Sequence, residues 1–537
     1  MKIESEQTKY LPIGWKGAVL GAILFLKNGF AFKSNSYQEA GTPVIRISDI
    51  QDGVVTTKSS IRIKASEEFN NYLVHKGDIL IAMSGATTGK YGIYKQKELA
   101  YQNQRVGNFR LYSDDLINKK FIFFLLGSLK RKIEIKAYGG AQPNISGKNI
   151  ERLKFNLPPL PEQHRIVAKI EELFSELDNG IESLKKAREQ LKTYRQAVLK
   201  YAFEGKLTKE WGTQQRQAGN SPEPAEKLLE QIKTEREKHY QKQLEDWKRA
   251  CEQAKTEGKK KPAKPKKPKE LASITEKELA ELPELPEWWG WVKIDCLSDF
   301  DQFALKAGPF GSALRKSCYV KNGYKIYGQE QVIRNDHKYG DYYISEEKYQ
   351  EMITCKVKPK DILVSLVGTI GKILILPEKI EEGIINPRLI KISLNPKSML
   401  PEFFKFYFES AFLKNLYRLK THGATMDILN LGIIQDLPFL FCSTSEQLQI
   451  ISEIESRLSV CDKLEQTIEE SLKKAEALRQ SILKKAFAGE LTRDWREKHP
   501  ELITGENSAE RLLERIKAEK ALAAGREKLR SKKMKKK

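Results

Sequence analysis

Two short stretches carry the residues best suited to chemistry. Residues 83–92, "MSGATTGKYG", follow an apolar run that starts at Asp78 and end in a Gly-Lys pair. Residues 360–376, "KDILVSLVGTIGKILIL", repeat the arrangement with Gly368, Thr369, Gly371 and Lys372. A glycine loop ending in Gly-Lys after a strand is the form that cradles nucleotide phosphates. That chemistry needs four residues between the glycines and a Ser or Thr after the lysine to hold magnesium. Here three residues separate Gly85 from Gly89, two separate Gly368 from Gly371, and Tyr91 and Ile373 follow the lysines. Both faults count against ATP. What remains is the ammonium of Lys90 or Lys372 beside glycine-opened amides, a pairing suited to a phosphate oxygen.

Other polar groups recur near these loops. "QNQR", with Gln102, Asn103 and Arg105, and "NPR", with Asn386 and Arg388, carry side chains able to make paired hydrogen bonds to base edges. "YGGAQPNIS", with Gln142 and Asn144, and "THGATMDIL" are glycine-opened loops of polar residues. Arg46, in the run "TPVIRISDI", and Ser84, in the first Gly-Lys loop, complete the candidate DNA-binding set with Thr369. Each of these residues also fits an ordinary turn, and it is the paired occurrence that lifts the loops as a group.

Catalytic tools do not emerge. A DNA adenine methylase needs an Asp/Asn-Pro-Pro-aromatic loop, and "NLPPL" at 156–160 and "DLPF" at 436–439 are mis-spaced for it. No glycine-rich cofactor loop follows a strand, and the six histidines are scattered, so no metal site is expected. The six cysteines lack a C-x-x-C pair and read as buried thiols of a reducing cytoplasm. The apolar stretch 18–26 is too short to span a bilayer and reads as a core element.

The elements that must position these groups follow from composition and repetition. At 537 residues the chain exceeds a single core, and its net charge of +23 points to a polyanion. Seven lysines in "KKKPAKPKKPK" and five in "KKMKKK" account for 12 of those charges, so about half the excess lies in flexible tracts. "PEQHRIVAKIEELFSELD", 161–178, aligns with "SEQLQIISEIESRLSVCD", 445–462, at an offset of 284. The same offset carries 195–211 onto 479–495 and 225–233 onto 509–517. The chain is therefore an internal duplication.

In both repeats apolar or small residues step by three and four: 166, 170, 173, 177, 181, 184, 187, 191, 194 and 198, then 450, 454, 458, 461, 464, 468, 472, 475, 478 and 482. This narrow seam predicts two helices of about 39 residues paired as a coiled coil. An antiparallel pair would set the two domains at opposite ends. The preceding regions, 1–156 and 285–440, read as α+β with short β-branched strands such as "GDILIAM", "VGNFRLY" and "LIKISL". "KKFIFFLLGSLKRKIEIKA" and "PEFFKFYFESAFLKNLYRLKTH" are helical in period. The predicted layout is a first domain at 1–156, a long-helix region at 157–211, a charged helical and Lys/Pro-rich linker at 212–284, a second domain at 285–440, a second long-helix region at 441–495 and a basic tail at 496–537.

Assembled, the chain resembles the specificity subunit of type I restriction-modification systems. The resemblance is carried by "LPPLPEQHRIVAKIEELF", "AFEGKLT" and "AFAGELT", "GDILIAMSGATTGK" with its second copy "KDILVSLVGTIGK", and "GGAQPNIS". It departs in the second half, where "GATMDIL" stands for "GAQPNIS" and "STSEQ" for "PLPEQ". The resemblance implies two target recognition domains, each reading one half of a bipartite, asymmetric double-stranded DNA sequence. It also implies paired helices that act as ruler and as platform for two methyltransferase subunits, with restriction subunits joining through those. The chain itself would be non-catalytic, in the cytoplasm, with no membrane association. S-adenosylmethionine, ATP and Mg would belong to the partner subunits. A nucleotide-binding enzyme using the Gly-Lys loops, or a structural coiled-coil scaffold, are the alternatives.

Overall fold

The computed structural model describes residues 11–51, 53–137, 143–310, 313–421 and 428–534. The fold divides into two compact units, residues 1–185 with 468–537, and residues 186–467. Each unit thus combines one divergent domain, the near half of the long helix that follows it, and the far half of the other copy's helix.

In the first unit a six-stranded sheet runs in the order Leu24–Asn28, Val106–Leu111, Ile79–Ala82, Tyr91–Tyr94, Gly53–Val55, Ile50–Gln51. A four-stranded sheet places Thr42–Ile45 parallel to Ala100–Gln102. The second unit keeps this plan in smaller form, with Leu305–Ala307, Leu389–Ile392, Ile362–Ser365 and Ile373–Ile375 in one sheet. Its other sheet sets Tyr324–Tyr327 parallel to Gly383–Ile385. The strand Ile362–Ser365 is buried along its whole length, as its continuous apolar run requires. The region 18–26 is a core element, divided between two strands and a turn of 3₁₀ helix.

The helix Lys119–Ala137 matches the expected segment. The Asn118 side chain accepts from the Lys120 and Phe121 amides, which fixes its start, and Phe121, Leu125, Leu129 and Ile133 face the core. The second such segment is not one helix. It breaks into Pro401–Phe408 and Ala411–Thr421, because Ser410 turns its hydroxyl onto the Leu413 amide and starts the chain anew.

Two helices of 44 residues each, Leu160–Phe203 and Thr444–Phe487, form the seam. In the first unit Arg479 pairs with Asp178, and in the second Arg195 pairs with Asp462 and lies 3.2 Å from Glu465. Adding 284 to Arg195 and Asp178 gives Arg479 and Asp462, so one pair of contacts is the image of the other and the helices run antiparallel in both units. The seam departs from expectation at Tyr194, Leu464 and Leu478, which are 45%, 48% and 50% exposed. A 3.6-residue turn drifts from a seam stepping by 3.5. The neighbouring Arg195, Glu465 and Arg479 then take the inward places.

Each long helix ends on a glycine with positive φ, Gly205 at +70° and Gly489 at +77°. The Lys206 and Glu490 amides bond back to the Tyr201 and Lys485 carbonyls across that turn. A Cβ on either glycine would also meet a proline, Pro286 at 2.4 Å or Pro12 at 2.7 Å. Three residues later Thr492 and Thr208 stand where an N-cap would, yet neither hydroxyl caps its helix. Thr492 donates to buried Glu162 and Thr208 to buried Glu446. Glu162 also accepts from the Trp15 indole at 2.7 Å and from both Arg496 Nε and Nη2. Glu446 accepts from the Trp288 indole at 2.7 Å. The adjacent Gln163 and Gln447 bond to the Asn118 and Leu400 amides at the heads of the domain helices. The repeated Glu-Gln and Leu-Thr motifs are thus the joint between domain and coiled coil.

The linker segment yields a helix, Ala225–Thr256, in its first part. Its Lys/Pro part has no regular element, but Trp247 of that helix donates to the Pro262 carbonyl and sits under Lys261 and Lys264. Of the cysteines, Cys296, Cys355, Cys442 and Cys461 are buried and Cys251 and Cys318 are half-buried. Among the described residues no helix is long and apolar enough to cross a membrane.

Candidate nucleic-acid interface

The Gly-Lys loops are tight hairpins between antiparallel strands, Ile79–Ala82 with Tyr91–Tyr94 and Ile362–Ser365 with Ile373–Ile375. No helix follows either lysine. In the first loop the Gly85, Thr88, Gly89 and Lys90 amides donate to Pro143, Gly85, Ala82 and Thr87 carbonyls. The Gly371 amide of the second donates to Ser365. These amides are engaged inside the protein and are not open to a phosphate, which leaves the lysine ammonium as the leading group for that task. Gly371, at φ +72°, lets the hairpin close on Tyr417, whose hydroxyl would lie 2.5 Å from an added Cβ. The aspartate ahead of each strand is structural. Asp78 pairs with Arg110 at 3.0 Å, and Asp361 accepts from Ser393 and the Lys358 amide while burial pushes its carboxyl above the usual range.

Three sequence-distant loops meet at one backbone position in each domain. Met83 donates its amide to the Arg105 carbonyl at 3.0 Å and accepts from the Ile145 amide at 2.9 Å. Leu366 donates to the Arg388 carbonyl at 3.0 Å and accepts from the Leu429 amide at 3.1 Å. A bridge joins Ser84 to Asn144 in one domain and Val367 to Ile428 in the other. The hairpin, the Asn-x-Arg loop and the glycine-opened loop therefore form one edge in both domains.

Within that edge the candidate residues take different places. Arg105 and Arg388 are exposed, and neither guanidinium has an ion pair among the described residues. Asn103 and Asn386 turn their side-chain oxygens onto the Arg105 and Arg388 amides, at 3.3 and 2.9 Å, and so shape the loop that presents the arginine. Gln102 is 1% exposed, and its amide donates to the Lys27 and Val106 carbonyls, so it positions the loop from beneath. Lys90 is half-buried, and Lys372 and Thr369 are exposed, as is Asn144. The Ser84 hydroxyl is buried without a partner. Gln142 lies outside the described residues.

Arg46 precedes the 3₁₀ turn Ile47–Asp49, its amide on Asp49 and its guanidinium 3.9 Å from the same carboxylate. That turn joins the edge through Thr87, which donates to the Ile47 carbonyl. Its counterpart in the second domain was not singled out by sequence. Gln329, at the head of the helix Gln329–Arg334, donates to Ser365 Oγ at 3.0 Å and to the Val367 carbonyl. The signal that could have found it is position, since both segments directly follow the strand that pairs in parallel. A second missed group is the helix beside Lys372, where burial, with Lys372 and Arg418 nearby, lowers the Lys414 ammonium from its usual range. Glu409 opposes that shift, so Lys414 adds one half-buried cation to the lysine and arginine at this edge.

Comparison with known proteins agrees with this geometry. The family model described as "Type I restriction modification DNA specificity domain" matches residues 12–192 and 308–474. The EcoBI specificity subunit of Escherichia coli is 28% identical over 96% of this chain and 95% of its own length. The EcoKI specificity subunit of Escherichia coli strain K12 is 25% identical over 97% of this chain and 99% of its own. A solved chain from work on complex assembly and conformational transition of the type I R-M system covers 90% of this chain and all of that one, at 16% identity and a TM-score of 0.59, which shows the shared fold. With both duplicated domains matched, and the same three-loop edge built in each, this chain belongs to the type I restriction-modification DNA specificity family.

Proposed function

We propose that each three-loop edge reads one half of a bipartite, asymmetric double-stranded DNA sequence, with Arg105 and Arg388 as base readers and Lys90 and Lys372 on phosphates. The observation that carries this reading is the repeated hub at Met83 and Leu366, which presents one exposed, unpaired arginine per domain. A planar guanidinium can donate two parallel hydrogen bonds to guanine in the major groove. The chain acts without catalysis of its own. Two methyltransferase subunits take the paired helices as platform and restriction subunits join through them, while S-adenosylmethionine, ATP and Mg serve those partners in the cytoplasm. The hairpin geometry disfavours nucleotide hydrolysis, because a strand and not a helix follows each lysine and several loop amides are already engaged. Mapping methylated sites in cells that carry this chain with its methyltransferase tests the proposal. A two-part motif in which Arg105→Ala relaxes one half and Arg388→Ala the other is expected. A motif untouched by either change would overturn it.

A further inference from the structure

The second domain leaves a phenyl ring in water beside its base-reading loop. Phe310 is 89% exposed, ahead of Leu419 at 72% and Ile13 at 71% among the described large apolar residues. Two residues earlier, the Gly308 amide donates to the Leu389 carbonyl at 2.9 Å, and Gly308 lies so close to the Asn386–Arg388 turn that a Cβ would come 1.9 Å from the Asn386 carbonyl oxygen. Pro309 fixes the next φ. The Phe310 carbonyl accepts from the Ala313 amide at 2.8 Å, and Leu314 is anchored in the core. Exposed Arg315 and Lys316 follow, with no ion pair among the described residues.

The equivalent glycine of the first domain, Gly29, is approached in the same way by the Gln102 and Asn103 carbonyls. Phe30 behind it is tucked into an aromatic cluster with Phe32, Phe69 and Tyr72, at centroid distances of 5.1 to 5.2 Å. The two domains therefore share the backbone approach, but the position two residues after the glycine is Phe310 in one and Ala31 in the other, and the ring one residue after Gly29 is withdrawn.

We propose that Phe310 is an apolar wedge that packs against an unstacked base step in the half-site read by the second domain. This rests on the DNA-reading proposal. An isolated ring held outward forgoes the burial that a phenyl group ordinarily gains in folding, and its surroundings select the occupant. The chain around the ring supplies cations: Gly308 abuts the Asn386–Arg388 turn, and exposed Arg315 and Lys316 follow within six positions, with no ion pair among the described residues. An apolar side chain beside phosphate-binding cations can partly unstack a base step, as the wedges of DNA-bending proteins do, here from the groove that the Arg388 loop enters. The first domain has Ala31 at the position of Phe310 and tucks Phe30 away, so among the described residues no ring stands there and the deformation is confined to the second half-site.

The test uses the full chain assembled with its methyltransferase subunits and a duplex carrying the mapped target, with 2-aminopurine placed in turn at each step of either half-site. Apart from the target base of each half-site, which the methyltransferase subunits flip out themselves, wild type is expected to raise fluorescence at one step of the second half-site only. Phe310→Ala abolishes that signal and weakens binding roughly tenfold, while Phe310→Trp retains both and the salt slope stays unchanged. Phe310→Ala with unaltered fluorescence and affinity overturns the wedge, and so does a loss of methyltransferase retention with the fluorescence intact. Arg388→Ala separates the two layers. If it weakens binding while Phe310→Ala does not, the wedge fails and the DNA reading stands; if neither does, the DNA reading itself fails.

Discussion

The two joints between domain and coiled coil solve one problem with opposite electrostatics. Glu162 and Glu446 are related by the offset of the duplication, and both are fully buried, at 0% and 1% exposure. Each holds a tryptophan indole and a threonine hydroxyl from distant segments. Glu162 adds a two-pronged ion pair with Arg496. At the offset position of Arg496 the other repeat has Gly212, and its cation, Arg216, lies one turn later, stacked 4.6 Å from the Trp288 ring. Burial then pushes the Glu446 carboxyl up, opposed by its indole and hydroxyl donors. The difference teaches that the joint needs a geometrically fixed acceptor, and that a charge partner is one way to supply the balance.

The largest way to break this comparison is Arg496→Ala. It strands a buried carboxylate in the first unit and should cost about 3–5 kcal/mol, seen as faster hydrogen exchange there and not in residues 186–467. Trp288→Phe comes next. Removing a donor from a buried carboxyl should cost about 1.5–3 kcal/mol, and more at neutral pH than in acid. The indole favours the charged carboxylate, which gives that sign, while burial still holds the Glu446 value raised. Stability from that group is fully present below its unfolded value near 4.5 and is lost as pH rises through the higher folded one. Glu446→Gln should flatten that slope in a pH series of melting curves, and a slope unchanged by it would show that Glu446 is not the titrating group.

At the DNA edges, Arg105→Ala and Arg388→Ala should each remove about 1–3 kcal/mol of discrimination at one base pair, in opposite half-sites. Selection of bound sites from a randomised library checks this. The smallest effect belongs to Lys90→Ala and Lys372→Ala, which should weaken binding evenly across sequences and reduce the salt slope by about one. A changed recognition sequence would make them base readers.

Much of this was legible in the chain. The offset of 284 follows from matching repeats, and the two long helices and the three polar loops per domain from local periodicity and turn residues, which act over a few positions at a time. The helix break at Ser410 was not, because an apolar period continues across it while a single hydroxyl decides. Nor was the joint, since Glu162 and Thr492 lie 330 positions apart and only antiparallel pairing of the helices brings them together.

The sequence by itself determined that the molecule is duplicated, that each copy ends in a seam-bearing helix, and that polar loops recur at matching places. Only the tertiary structure decided which of those polar groups face outward. Gln102 and Arg105 lie three positions apart on one short segment, yet one is sealed beneath the loop by the Lys27 and Val106 carbonyls and the other is exposed. The same holds for Tyr194 and Arg195, where the drift of the helix turned the aromatic ring outward and the charge toward its partner helix. Burial depends on which remote strand or helix packs against a residue, and that pairing is a property of the whole chain.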